Sequence, residues 1–79
     1  MNFDIRGAVI HNIRNLSKKE LDDLVNDSIN QKEEKLLPGL GVVFEIIWEN
    51  SDPKSRQQMI DTLSSSLPHQ KAKSPIPTV

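Results

Sequence analysis

The chain has 79 residues, ten Lys and Arg against eleven Asp and Glu, two His and no Cys, for a net charge of −1. That length allows one domain at most, and such a domain buries only ~60% of its unfolded surface. The missing cysteines exclude disulfides and thiolate metal sites. The charge argues against a general polyanion binder, and no apolar run is long enough to cross a membrane. The start, MNFDIRG, has neither the charged nor the apolar region of a signal peptide, so a soluble, cytosolic chain is expected.

Taken in order, Ile5, Ala8, Val9, Asn12, Ile13 and Leu16 follow one another at spacings of 3, 1, 3, 1 and 3. That is one face of a helix, predicted over 3–15, with Asn2 or Asp4 as its N-cap. Gly7 weakens it by ~1 kcal/mol relative to Ala unless packing requires a small residue there. Ser17 followed by Glu20 is a capping box, and Leu21, Leu24, Val25, Ser28 and Ile29 supply the apolar face of a second helix over 18–30. Gln31–Leu37 then connects to the next element, with room for a short turn of its own.

The stretch Glu33–Asn50 holds two of the three glycines, the only Trp and one of the two Phe. Pro38 suits a first helical turn, and Glu33 and Glu34 put negative charge where a helix start favours it. Leu37, Leu40, Gly41, Phe44, Ile47 and Trp48 then form a helical stripe, which Val42, Val43 and Ile46 widen until only Glu45 and Glu49 remain as a polar line. A helix apolar almost all round has to be covered on several sides, so a central buried helix over 38–49 is expected. The competing reading is a buried strand, because Val42–Trp48 is rich in β-branched and aromatic residues. Trp48 is expected to be mostly buried, which would be worth ~2–3 kcal/mol.

Asp52 and Pro53 open a last helix over 53–66, where Arg56 lies one turn from Asp52 and can pair with it for a few tenths of a kcal/mol at most. Met59, Ile60, Leu63 and Leu67 are its expected buried face, and Pro68 stops it. The expected architecture is all-α, a small single-domain bundle of about four short helices over 1–67 with a central apolar helix. The remainder, 68–79, has three prolines and little to bury and reads as a disordered tail.

The polar residues offer little chemistry. Asp23 with Asp27, and Glu45 with Glu49, stand four apart, but neither pair has a convergent His or third carboxylate, so solvated helix faces are the better reading. His11 and His69 belong to no ligand or nucleophile motif, so no catalytic residue, metal ligand or cofactor is assigned. Gly39 and Gly41 could offer backbone N–H groups to a phosphate, but no P-loop pattern follows; close approach of a neighbouring helix is the better reading. Gly39, Leu40, Gly41, Phe44 and Trp48 are therefore candidate packing or partner-binding residues. Lys18 and Lys19 are diluted by Glu20, Asp22 and Asp23, and only Lys71 and Lys73 form a second basic cluster, so no strong nucleic-acid binding is expected. Self-association, or an unknown protein partner for a helical adaptor, remains the open partner reading, because so small a chain has few helices with which to cover an apolar one.

The string Glu33-Glu34-Lys35, Leu37-Pro38-Gly39-Leu40-Gly41-Val42, Phe44-Glu45 and Ile47-Trp48 closely resembles the hallmark segment of the small acid-soluble spore protein I family. The start, with Arg6 and Ala8-Val9-Ile10, and the pattern Met59–Leu63 are similar too, so the resemblance covers about 1–67. The chain departs from the pattern at Lys32, where the family usually has Gly, over Asn15–Glu20, and in its tail. The resemblance implies a minor, non-enzymatic protein of the dormant spore core, made in the forespore. It implies no functional residues, and no DNA-coating role of the kind that the major α/β-type spore proteins have.

Overall fold

The computed structural model describes residues 4–68; of the tail expected over 68–79 only Pro68 lies among them, and the rest, with His69, Lys71 and Lys73, lies outside. Four helices follow one another: α1 (Ile5–Ile13), α2 (Lys18–Gln31), α3 (Leu37–Glu49) and α4 (Pro53–Ser66), with a 3-10 turn over Glu34–Leu36 leading into α3. There is no strand among the described residues, so the helical reading of Val42–Trp48 holds.

Local chemistry sets most of the boundaries. Asp4, not Asn2, caps α1, its Oδ1 accepting from the Gly7 N–H at 2.9 Å. The Asp4 carboxylate also fills the space that a Cβ on Gly7 would take. The crowding at Gly7 thus comes from the cap residue and not from a packed neighbour. Ser17 Oγ accepts from the Glu20 N–H at 3.1 Å, and Glu20 Oε1 accepts from the Ser17 N–H at 2.8 Å, which completes the capping box of α2. Lys32 ends that helix in the left-handed region, φ 53°, and is the only non-glycine residue with positive φ among those described. Asp52 caps α4 through the Ser55 N–H at 2.8 Å, and that hydrogen bond holds its carboxyl below the usual range.

Packing is the part that differs from expectation. The closest helix pair is α1 on α3. Val42, 6% exposed, is the only buried residue among those described. Val9 and Ile13 of α1, Leu24 and Val25 of α2, and Leu40 and Val43 of α3 are half-buried around an open apolar cleft of about 480 Å³. The stripe expected to face the core is instead the more open side of α3. Leu37 is 59% exposed, and Phe44 and Ile47 are 49% exposed. On α4 only Met59 of the expected buried face is half-buried; Ile60, Leu63 and Leu67 are exposed. The reason is geometric: α3 is apolar on nearly every side, so its periodicity does not select the side on which α1 lands.

Lys32 holds a conformation that glycine adopts without cost and other residues do not. Lys32→Gly is expected to stabilise the fold by about 1 kcal/mol, read from urea unfolding followed by circular dichroism. An unchanged or lower midpoint contradicts strain at this cap.

Candidate functional site

The strongest polar link between helices joins α1 to α3. Arg6 reaches Glu45 with two parallel hydrogen bonds, Nε to Oε1 and Nη2 to Oε2, both at 2.7 Å. The pair is bidentate, the geometry in which Arg and carboxylate bind most strongly. It sits at the surface, so its contribution is screened by salt. The hydrogen bond from Arg6 holds the Glu45 carboxyl below its ordinary value, and the same bond pushes the Arg6 guanidinium higher. Glu45 is thus an anchor for α1 and not half of a solvated acidic line.

A second polar cluster closes α3. A helix end leaves four carbonyls without intrahelical partners. Here all of them are engaged. Ile46 O accepts from Asn50 Nδ2 at 2.8 Å, and Ile47 O from Ser51 Oγ at 2.6 Å. Trp48 O accepts from Arg56 Nε at 2.8 Å, and Glu49 O from Arg56 Nη2 at 3.4 Å. Arg56 therefore turns back onto the end of α3 in place of the pairing with Asp52 that its spacing allowed. Its cation serves the negative end of the helix dipole, and its guanidinium carbon lies 5.4 Å from the Trp48 ring centroid. Phe44 tilts against Trp48, with centroids 5.8 Å apart and planes at 40°. Trp48 is half-buried, not mostly buried, so only part of the burial energy expected for it is realised.

The remaining candidates separate. Leu40 is half-buried and Gly41 is exposed. Among the described residues no atom lies within 4 Å of a Cβ built at Gly39 or Gly41, so neither admits a close helix within the chain. The groups just ahead of the glycines offer little to a phosphate. The Leu36 and Leu37 N–H groups are spent on Glu33 O and Glu34 O, Pro38 has none, and Lys35 pairs with Glu33 at 3.3 Å. Asp23 is engaged by Lys19 at 3.0 Å. Among the described residues no cluster of three His, Cys, Asp or Glu could hold a metal ion, and no helix is long and apolar enough to cross a membrane. His11 is exposed in the last turn of α1. Sequence reasoning missed Arg6–Glu45 and Arg56–Trp48. The second had a usable signal, since a cation just past a helix C-terminus is where the dipole favours one.

The profile of the family described as small, acid-soluble spore protein I matches residues 3–67, which include both clusters. The chain belongs to the small, acid-soluble spore protein I family. It is 48% identical to the Bacillus cytotoxicus protein of that name over 67 residues, 85% of this chain and 96% of the relative. A Bacillus cereus relative is 45% identical, and a Bacillus anthracis relative 43%, each over 85% of this chain and 97% of its own length. No solved structure matches the chain. The matched span takes in Arg6 and Glu45, and it stops at Leu67, short of the tail.

Two measurements check these clusters. Glu45 and Asp52 both have depressed carboxyl pKa values, so their stabilisation is present above the ordinary carboxylate range of about 4 and is lost as pH falls through their lower folded values. Glu45→Gln is expected to flatten the fall in melting temperature between about pH 5 and 3, and added salt to have a similar effect on the parent. An acid limb identical in variant and parent refutes the pairing. Arg56→Met is expected to cost about 1 kcal/mol and to move Trp48 emission to longer wavelength, because it removes both the carbonyl donors and the cation over the ring. Emission and stability equal to the parent's would show that Arg56 does not close α3.

Proposed function

We propose that the protein is a non-enzymatic structural or interaction component of the bacterial spore core, formed in the forespore during sporulation. The family match over residues 3–67 carries this reading, because it spans every helix and the relatives it joins are named small, acid-soluble spore proteins. The polar chemistry is consistent with it. Glu45, Arg6, Asp23 and Arg56 are spent on ion pairs and helix ends, where they hold the fold together. The exposed lysines of α2 stand beside acidic neighbours, so they build no basic face for nucleic acid.

The test follows the protein by antibody through growth and sporulation, with fractionation of purified spores. It is expected to be absent from vegetative cells, to appear in the forespore and to be recovered by acid extraction of decoated spores. Abundance in vegetative cells with none in spores overturns the reading. Recovery from the coat fraction alone overturns the placement in the core.

A further inference from the structure

A cleft of about 340 Å³ opens between α2 and α3. Its walls are Leu21 and Leu24 of α2 and Val43, Ile46 and Ile47 of α3, and Asp22 stands at its edge. Ile46 is 36% exposed and Ile47 is 49% exposed, so much of this apolar wall meets water. We infer that the chain's own C-terminal segment, residues 69–79, lies along this cleft, with Lys73 on Asp22 and Ile76 against the aliphatic wall.

Three observations select that segment as the occupant. The first is where the chain leaves the fold. Ser66, at the end of α4, lines the groove between α3 and α4, and Ile47 is a wall of both that groove and this cleft. The chain therefore departs one groove's width away. Lys73 stands six residues past Leu67, a reach of up to ~20 Å. Tethering also holds the segment at an effective concentration on the order of millimolar, so a weak contact suffices.

The second is charge. Residues 1–68 hold eight Lys and Arg against all eleven Asp and Glu, a net −3, whereas 69–79 hold Lys71 and Lys73 and no acidic side chain. Asp23 and Glu45 are already engaged by Lys19 and Arg6. Asp22 accepts only the neutral Asn26 amide, at 3.1 Å, and no cation among the described residues pairs with it. A second copy docked about a two-fold axis here would set Asp22 near its own counterpart.

The third is spacing. In the polyproline conformation that Pro75 and Pro77 favour, residues three apart share a side and lie ~9 Å from one another. Lys73, Ile76 and Val79 are spaced in that way, one cation followed by two aliphatic side chains. That order matches a carboxylate at the edge of an aliphatic cleft. The prolines also reduce the backbone freedom lost on docking. The family match stops at Leu67, and the Bacillus cytotoxicus relative is spanned over 96% of its length by the 67 aligned residues, so this contact belongs to the present chain and not to the shared fold.

The chain has no Cys, so Thr78→Cys gives a single site for a nitroxide label on the full-length protein. Amide signals of Leu21, Leu24 and Ile46 are expected to broaden more than that of Glu34, with the reduced label as reference. Lys73→Glu is expected to lower the docked population about fivefold, with helix content by circular dichroism unchanged. Adding Asp22→Lys to that chain is expected to restore it. A mixture of isotope-labelled chain without nitroxide and nitroxide-bearing chain without isotope is expected to show no broadening. Broadening that is missing or even across all helices overturns the proposal. Broadening in the mixture also overturns it, because the segment then comes from a neighbouring copy. A Lys73→Glu chain that broadens like the parent, or a double variant that recovers nothing, overturns the contact with Asp22. None of these outcomes depends on where the protein resides.

Discussion

Helix α3 is apolar around most of its circumference, and helices of 9, 14 and 14 residues are all the described chain offers to cover it. That mismatch shapes everything else. One flank is closed by α1, where Val42 is buried and Arg6 clasps Glu45. The remaining flanks are shared thinly between α2 and α4, which leaves clefts where a larger domain would have a core. A single buried residue cannot offset the conformational entropy of ordering a chain this long. Either much of the stability is local to the helices, or apolar surface is removed from water by another molecule.

The local share is visible at the helix ends. Asp4, Ser17 with Glu20, and Asp52 each satisfy backbone N–H groups that would otherwise have only water. At the far end of α3, Asn50, Ser51 and Arg56 engage all four terminal carbonyls. Each device is modest, because most of these groups are solvent-exposed, but each acts on a boundary. Together they fix where the helices start and stop even though the helices pack loosely. Arg56 does more, since it belongs to α4 and binds the end of α3, which ties the two helices together at their shared turn.

This division explains what the sequence made legible. Element type and boundaries come from signals a few residues apart, and the four helices fall within about two residues of where the spacing and caps put them. The 3-10 turn over Glu34–Leu36 occupies the connector in which a short turn was expected. Which face of α3 is buried depends on partners far along the chain, and a residue pattern that is apolar on every side carries no information about that choice. Phe44 and Trp48 are therefore adjacent in the stripe as read, yet neither is buried as read. Gly41 shows the same limit: its smallness was legible, but the described chain holds no close neighbour for it. The Arg6–Glu45 pair was hidden for another reason, since the two lie 39 residues apart and nothing local links them.

Helix α4 carries the argument one step further. It ends in Ser64-Ser65-Ser66, and Ser65 Oγ turns back to donate to Asp61 O at 3.0 Å, a bond that competes with regular helix geometry. It has no basic residue in its last turn, and its apolar residues Ile60, Leu63 and Leu67 are largely in water. An isolated helix of 14 residues with such a tail is marginal in water. Its first turn is secured by Asp52 and by Arg56 reaching α3, whereas its second half, with Leu63 54% exposed, has no such tie. Any surface laid over Leu63 would therefore also hold the end of α4, and part of its binding free energy would be spent on that ordering.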